Sequence, residues 1–153
     1  MLIGYGEDSH QLAPGRRFVI GGVEVTADRG PLAHSDGDAL LHAVTDALLS
    51  ALALGDIGAF FPNDAAENRA RPSADFLNRA LVEVRSRGYA PDQLRVVVVV
   101  DRPKLGPYRS AIQKNLAGLL GLDPQRVGLT FKTSEGLAPD HIQVRAFLTL
   151  AAF

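Results

Sequence analysis

Five consecutive valines, at positions 96–100, restrict the fold of this chain more than any other feature of its sequence. β-Branched side chains favour strands, so we predict a strand over residues 94–100. A strand with apolar side chains at every position needs apolar cover on both faces of its sheet. The rest of the sequence predicts three helices, which are enough to cover one face. A second copy of the chain is the simplest cover for the other face.

The remaining elements are predicted from hydrophobic periodicity and turn residues. Strands are expected over residues 2–10, 127–133 and 142–152, and Gly21-Gly22 between two short apolar runs predicts a hairpin over 18–25. Helices are expected over 36–54, over 73–88 and after Pro107, with irregular segments over 29–35 and 56–68. Ser35 with Asp38 resembles a capping box for the first helix, and Ser73 is a candidate cap for the second.

This order of elements predicts an α+β fold in a single domain, residues 1–153. We expect a single sheet of about four main strands, with the helices on one face and the hairpin near the amino terminus. The cover required by the valine strand predicts that copies of the chain assemble around their sheets.

Composition limits the function classes. The formal net charge is -1, so no general basic surface recruits nucleic acid, and an anionic ligand must be neutralised locally. The chain has no cysteine, so a metal would need His, Asp or Glu ligands. The apolar runs are much shorter than a membrane span, and we see no targeting segment before the first predicted strand. We therefore expect a soluble cytoplasmic protein without membrane or nucleic-acid partners.

Three residues form a candidate metal site. Asp8 and His10 are two positions apart in the first predicted strand, so their side chains project to the same face. His42 is on the first predicted helix, away from the apolar stripe. Three such ligands with an open fourth position are typical of catalytic zinc, and Asp38 or Asp46 could orient the second nitrogen of His42. The alternative is an ordinary pair of solvated Asp and His side chains.

Other polar segments are candidates for substrate contact. Residues 34–38 precede the first helix, where free amides favour an anion, although an ordinary helix cap has the same composition. Phe60 and Phe61 could form a wall for a ligand or a small apolar cluster under a loop. Residues 101–105 and 132–135 follow two predicted strands, a common place for ligands and also for ordinary turns.

Taken together, these residues resemble the 2-C-methyl-D-erythritol 2,4-cyclodiphosphate synthase family over nearly the whole chain. The resemblance is carried by Gly4-Tyr5-Gly6-Glu7-Asp8-Ser9-His10, Leu32-Ala33-His34-Ser35-Asp36-Gly37-Asp38, Leu41-His42-Ala43, Thr45-Asp46-Ala47-Leu48, Gly55-Asp56-Ile57-Gly58 and Phe61-Pro62. It implies a lyase of isoprene biosynthesis, in the non-mevalonate pathway. The expected enzyme converts 4-diphosphocytidyl-2-C-methyl-D-erythritol 2-phosphate to the cyclic diphosphate and CMP.

The resemblance also implies the site residues and a homotrimer with active sites between subunits. Zn²⁺, or a similar divalent transition metal, would bind Asp8, His10 and His42, while Glu135 would bind Mg²⁺ or Mn²⁺ with the substrate. Catalytic roles are expected for His34, Thr133 and Glu135. Substrate contacts are expected from Asp8, His10, His34, Ser35, Asp56, Ile57, Gly58, Phe61, Pro103, Lys104, Leu105, Lys132, Thr133, Ser134 and Glu135.

The chain departs from the family pattern at two places. Asn63 and Asp64 stand where many relatives have Asp directly after Phe-Pro, and residues 138–141 replace a stretch similar to Gly-Arg-Gly-Glu-Gly. His141 and Arg145 are candidate substitutes for contacts from that stretch. Two other functions are compatible with the same residues: a different metal-dependent phosphoesterase that uses a metal-activated water, and a non-catalytic trimer that binds an anionic ligand.

Overall fold

The computed structural model of the protein describes residues 1–62 and 71–153. Seven strands are present in these ranges: β1 (Leu2–Pro14), β2 (Phe18–Ile20), β3 (Val23–Val25), β4 (Arg29–Pro31), β5 (Tyr89–Val100), β6 (Val127–Lys132) and β7 (His141–Ala152). Four α-helices accompany them: α1 (Ala39–Ala51), α2 (Ile57–Phe60), α3 (Ser73–Ser86) and α4 (Arg109–Leu120). The predicted α+β class is confirmed, and each predicted strand and main helix is present.

Five strands form one mixed sheet in the order β4-β1-β7-β5-β6, and β2 pairs with β3 separately. β5 and β6 are parallel, and the other neighbours are antiparallel. The prediction that residues 29–35 form a loop is wrong at its start. Residues 29–31 pair with residues 12–14 as β4, which also extends β1 beyond its predicted end at His10. A strand of three residues is too short to show the alternation of apolar and polar residues by which strands are predicted, and its pairing partner is distant in the chain.

The hairpin is fixed to the first helix by one buried carboxylate. Gly21 and Gly22 have φ of 60° and 77°, the left-handed geometry that a tight hairpin turn needs at both positions. Their amides donate to Asp38 at 2.9 and 2.7 Å. Asp38 also caps α1, accepting from the amide of Leu41 at 2.9 Å. The predicted capping box beginning at Ser35 is therefore wrong: the cap is Asp38, and the helix starts after it.

The helices and the sheet share one hydrophobic core, which draws residues from Leu12 to Leu150. α1 packs on β1 and β7, α3 on α1 and β5, and α4 on β6. α3 faces this core with an apolar stripe, because Leu77, Ala80, Leu81 and Val84 are buried. α3 begins at Ser73 itself, with Pro72 in the cap position, so Ser73 does not cap it as predicted.

The opposite face of the sheet remains open in the single chain, as predicted from the number of helices. Val97 and Val99 are half-buried there. Ile3, Tyr5 and Phe147 are 64, 38 and 53% exposed, and the rings of Tyr5 and Phe147 lie 4.7 Å apart. Exposed large apolar side chains that lie together in this way are typical of a contact surface. Within residues 1–62 and 71–153, no helix has the length and apolarity needed to cross a bilayer.

Candidate active site

Two glycines of β1 place the first helix directly against the strand. A Cβ atom at Gly4 would lie 2.0 Å from the carbonyl oxygen of Ala47, and one at Gly6 would lie 2.1 Å from that of Ala43. Neither position tolerates a side chain, so the backbones of β1 and α1 approach as closely as possible. The next two residues on the same face of β1 are Asp8 and His10, and this approach brings them to His42.

Asp8, His10 and His42 form a compact group whose ligand atoms lie within 4.8 Å of one another. Asp8 Oδ2 is 2.9 Å from His10 Nε2 and 3.2 Å from His42 Nδ1. The approach of His10 Nε2 to Asp8 does not have hydrogen-bond geometry, and this buried nitrogen has no hydrogen-bond partner among the described residues. One carboxylate oxygen and two imidazole nitrogens facing a common point fit a divalent transition metal with an open coordination position.

In this group, the imidazoles favour the ionised form of Asp8, and the carboxylate of Asp8 favours the protonated form of His42. Burial alone would raise the pKa of Asp8, but its contacts with His10 and His42 lower that pKa to about 2. Burial disfavours the charged form of His42, but Asp8 and the carboxylates of Asp38 and Asp36 raise its pKa above the usual value. The carboxylate is therefore ionised at neutral pH, as a metal ligand must be.

The expected orientation of His42 by Asp38 or Asp46 is wrong. Asp38 is engaged by the hairpin and the helix cap, and Asp46 accepts from the amide of Ile57 at 2.7 Å. The second nitrogen of His42, Nε2, instead lies 2.8 Å from the hydroxyl of Ser73 on α3. Sequence periodicity could not reveal this partner, because it comes from another helix and is 31 positions away.

The group of Asp8, His10 and His42, called the metal group from here on, opens into a cavity of about 320 Å³. Its lining is Asp8, His10, Leu32, Ala33, His34, Ser35, His42, Ile57, Phe61 and Phe76. The structure thus brings together predicted site residues from segments that are well separated along the chain. Phe76 was missed by the sequence analysis. Phe61 both lines the cavity and belongs to an apolar cluster, since its ring centroid is 4.9 Å from those of Phe60 and Phe76.

Asp56 and Gly58 lie beside this cavity without lining it. Asp56 caps the short helix α2, accepting from the amide of Ala59 at 2.8 Å. The bond from Ile57 to Asp46 fixes the same segment to α1. Burial raises the pKa of Asp46 to about 6, although the Ile57 amide lowers it, and Asp56 and Asp8 add to the rise.

A second cavity, of about 280 Å³, lies at the ends of the parallel strands β5 and β6. Its lining is Val100, Asp101, Pro103, Lys104, Leu105, Gly106, Arg109, Phe131, Lys132 and Thr133. Five of these are predicted site residues. Arg109 and Phe131 were not predicted, and the guanidinium of Arg109 stacks over the ring of Phe131 at 4.5 Å.

The turn after β6 is held by a residue at the end of β5. Asp101 accepts from the amide and the hydroxyl of Ser134, at 2.6 and 2.7 Å. The bond with the hydroxyl, and then the bond with the amide, lower the pKa of Asp101. The hydroxyl of Ser134 is therefore already engaged as a donor. Glu135 follows with φ of 58° and an exposed side chain, and its amide donates to Thr133 Oγ1 at 3.3 Å.

A model of the YgbB family matches residues 1–151. This chain belongs to the YgbB family. A 2-C-methyl-D-erythritol 2,4-cyclodiphosphate synthase of Thermus thermophilus is 55% identical to it, covering 98% of this chain and 99% of the relative. The synthase of Deinococcus radiodurans is 56% identical, covering 97 and 92%. The resemblance inferred from the motifs is confirmed.

Solved structures give the same result for this YgbB-family protein. A structure of 2C-methyl-D-erythritol-2,4-cyclodiphosphate synthase matches with a TM-score of 0.94 at 54% identity, covering 97% of this chain and 99% of that one. A CDP-bound form of that synthase also has a TM-score of 0.94, at 52% identity and the same coverage.

The two departures from the family pattern have different outcomes. Asn63 and Asp64 lie outside the described residues. The turn over 136–140 is held by the buried Arg29, whose guanidinium donates to Asp140 and to the carbonyl oxygen of Pro139. Arg29 is thus the cation that anchors this turn, and the sequence analysis did not single it out. Arg145 instead contacts Gln143 and lies 3.7 Å from Glu7.

The two cavities of this YgbB-family protein share no lining residue. Both are nevertheless at the same end of the sheet, because Ile142 of β7 pairs with His10 on one side and with Val100 on the other. A larger cavity of about 460 Å³ lies beside the hairpin. Its charged lining residues are Arg16, Arg17, Glu24 and Asp28. Arg17 is paired with Glu24, and no imidazole lines the cavity, so it offers no metal site comparable to that of Asp8, His10 and His42.

Proposed function

We propose that this protein is a 2-C-methyl-D-erythritol 2,4-cyclodiphosphate synthase of the non-mevalonate isoprenoid pathway. It converts 4-diphosphocytidyl-2-C-methyl-D-erythritol 2-phosphate to 2-C-methyl-D-erythritol 2,4-cyclodiphosphate and CMP. The observation that carries this proposal is the compact Asp8, His10 and His42 group, which opens into a cavity at the same end of the sheet as a second, strand-end cavity. Identity above half to curated synthases, over nearly the full length, supports it.

The metal assignments belong to this proposal. Asp8, His10 and His42 would hold Zn²⁺ or a similar divalent transition metal, and Glu135 would hold Mg²⁺ or Mn²⁺ together with the substrate. The bound ions would supply positive charge against phosphate oxygens. The buried Nε2 of His10, without a hydrogen-bond partner in the described ranges, supports the first assignment. The exposed side chain of Glu135, next to Thr133 of the strand-end cavity in a turn that Asp101 holds, supports the second.

The reaction forms one phosphorus–oxygen bond and breaks another. An oxygen of the 2-phosphate attacks the β-phosphorus, and the bond from that phosphorus to the CMP oxygen breaks, which makes the enzyme a phosphorus-oxygen lyase. The attacking phosphate is already anionic, so no side chain has to remove a proton. The chain must therefore position the two groups and neutralise their charges.

The proposed binding roles follow the two cavities. His34 and Ser35 hold the attacking phosphate in the metal cavity, with Phe61 against the erythritol carbons and Asp56, Ile57 and Gly58 along its hydroxyls. The strand-end cavity takes the cytidine diphosphate, a role that the existence of a CDP-bound relative supports. There the contacts come from Pro103, Lys104, Leu105, Lys132 and Thr133. Ser134, whose amide and hydroxyl both donate to Asp101, would act by holding the turn that follows them.

We also propose that residues 1–153 form one domain and assemble as a homotrimer with shared active sites. The single core cluster supports the first statement, and the exposed apolar face with Ile3, Tyr5 and Phe147 supports the second. A cytoplasmic location, without nucleic-acid or membrane partners, stays a prediction of the sequence.

Product analysis tests the function directly. Purified protein is incubated with the cytidyl substrate, Zn²⁺ and Mg²⁺, and the products are identified by phosphorus NMR. We expect CMP and the cyclic diphosphate in equal amounts, and none from His42→Ala. Hydrolysis to linear phosphates would support the phosphoesterase alternative, and binding without turnover would support a non-catalytic trimer.

A further inference from the structure

We propose that Ser73 and Asp36 act as a positioning pair for the metal ligand His42. Together they hold a proton on Nε2 and leave Nδ1 as the nitrogen that faces Asp8. This inference deepens the proposed function and rests on its metal site. It starts from the two contacts of His42: Nδ1 is 3.2 Å from Asp8 Oδ2, and Nε2 is 2.8 Å from Ser73 Oγ.

The direction of each hydrogen bond follows from Asp36. Its Oδ2 accepts from the amide of Ser73 at 3.0 Å, and its Oδ1 accepts from the amide of Asp38 at 3.1 Å and from the hydroxyl of Ser73. An ionised carboxylate only accepts, so the hydroxyl proton of Ser73 must point to Asp36. The oxygen of Ser73 is then left to accept from His42, which requires a proton on Nε2. A lone pair on Nδ1 is thereby available for a metal.

The same contacts join the loop before α1, the start of α3 and His42 on α1. Pro72, in the cap position of α3, makes no side-chain cap bond. The carboxylate of Asp36 takes that role from the loop before α1, since it accepts the amide of Ser73. Ser73 is fully buried, so no water competes for its hydroxyl. The loop that carries His34 and Ser35 is thereby fixed to the helix that orients His42.

The test uses Ser73→Ala, with Ser86→Ala as the matched control. Ser86 lies at the other end of α3, where its hydroxyl bonds only the carbonyl oxygen of Glu83 at 2.9 Å. Zn²⁺ affinity is measured by competition with a chromophoric chelator, without substrate. Partners of metal-bound histidines typically affect affinity by about 10–100-fold, and we expect a loss of that size for Ser73→Ala and none for Ser86→Ala. An affinity of Ser73→Ala within about twofold of wild type overturns the proposal.

A spectroscopic signature separates positioning from a general structural role. In the zinc-loaded wild type, the Nε2–H of His42 should give a downfield proton resonance that exchanges slowly with water, because Ser73 accepts it in a buried position. The resonance should disappear in Ser73→Ala. With four histidines in the chain, assignment through single histidine variants is practical. Absence of a protected Nε2–H on His42 in the wild type overturns the proposal, even if Ser73→Ala does not fold.

Asp36→Asn replaces one accepting oxygen with an NH₂ donor and leaves the shape of the side chain nearly unchanged. It therefore tests the hydrogen bonds from Asp36 through Ser73 to His42. In one orientation, the NH₂ group of the new side chain would face the backbone N–H of Ser73, and two donors would meet. In the other orientation, the NH₂ group would donate to the hydroxyl oxygen of Ser73. Both arrangements disturb the bond to His42, so we expect Zn²⁺ affinity to fall by about tenfold or more. Wild-type protein that binds no Zn²⁺ would refute the metal site itself. Wild-type protein that shows these effects but forms no cyclic product would refute only the proposed function.

Discussion

Burial raises the pKa of two carboxyl groups on or beside α1, those of Asp38 and Asp46, to about 6. Their neighbour Asp8 has a pKa of about 2, because two imidazoles outweigh its burial. The difference lies in the donors. Asp38 and Asp46 receive backbone amides, which offset burial only in part, whereas Asp8 faces groups that can carry a positive charge.

Asp46→Asn should change how the stability of the metal-free protein depends on pH. A carboxyl group with a pKa of about 6 when folded and 3.8 when unfolded binds more protons in the folded state between these values. The free energy of unfolding therefore falls as pH rises through this window. The carboxamide that replaces the carboxyl group cannot titrate but can still accept from Ile57, so this part of the fall should vanish.

Urea midpoints measured from about pH 4 to about pH 7 test this expectation. The matched control is Asp28→Asn, at an exposed position, which should retain the wild-type slope. Equal slopes for Asp46→Asn and wild type would contradict the prediction.

Glu135→Gln should lower kcat much more than it weakens binding of CMP. Closing the ring brings the charges of a phosphate and a diphosphate together, and charge on the bridging oxygen grows as CMP leaves. We propose that Glu135 anchors the divalent ion that meets this charge. CMP has no diphosphate, so its Kd should change by less than about threefold, while kcat falls by about a hundredfold or more.

Steady-state kinetics at saturating Mg²⁺ and calorimetric titration with CMP provide the measurements. Glu83→Gln, which removes a surface contact to Arg87, is the control and should be as active as wild type. A Glu135→Gln enzyme within about threefold of wild type would mean that Glu135 is only a turn residue.

At the scale of elements, the contact between β1 and α1 determines whether the metal group exists. His42 reaches Asp8 because no side chain separates the two backbones at Gly4 and Gly6. Both elements were predicted from sequence, but their separation was not. Hydrophobic periodicity reports which face of an element is buried and does not report how closely a neighbour approaches.

Gly6→Ala should destabilise the protein and weaken its metal site together. The new Cβ would lie 2.1 Å from the carbonyl oxygen of Ala43 and 2.6 Å from the amide nitrogen of Ala47, and backbone atoms cannot yield as a flexible side chain does. We expect a loss of about 1–3 kcal/mol in the free energy of unfolding, or more, and at least tenfold weaker Zn²⁺ binding, as α1 moves away from β1.

Gly118→Ala is the matched control, since this glycine lies in α4 and a Cβ atom added there would meet nothing within 4 Å. It should be neutral or stabilising by up to about 1 kcal/mol, because Ala favours helix. Urea unfolding and chelator competition measure both effects. Normal Zn²⁺ affinity in a folded Gly6→Ala protein would refute the link.

For the whole molecule, the open face of the sheet and the two cavities have to be explained together. The face exposes Ile3, Tyr5 and Phe147, and the cavities share no lining residue. Assembly of three copies around their sheets would cover the apolar face. It would also allow the metal cavity of one copy to face the strand-end cavity of its neighbour.

Mixing two inactive variants tests the shared site. His42→Ala damages the metal cavity and Lys104→Ala the strand-end cavity. If each site combines cavities from two copies, random co-refolding in equal amounts should restore roughly a quarter of wild-type activity. Co-refolding His42→Ala with Asp8→Ala, which both damage the metal cavity, should restore none. Light scattering should give three times the chain mass of 16.3 kDa. A monomer would refute the assembly.

The sequence by itself determined the elements and the chemistry available to them. The glycine pair predicted the hairpin, the apolar stripes predicted the helices and their faces, and the absence of cysteine left only His, Asp and Glu as ligands. Asp8, His10 and His42 were recognised as candidate metal ligands from their residue types and from the family motifs. The hairpin and the helices depend on residues near one another in the chain, so local patterns reveal them. His42 lies 34 positions from Asp8, and the family motifs, not a local pattern, linked the two in the sequence.

Only the tertiary structure decided how the elements meet. In the structure, Asp38 accepts from the hairpin and Ser73 lies at hydrogen-bond distance from His42. Asp101 holds the turn that leads to Glu135, and Arg29 holds the turn that ends at Asp140. Each of these contacts joins residues from different elements. Which polar groups meet depends on the packing of the whole chain, and buried polar groups must find partners wherever the packed backbone presents them.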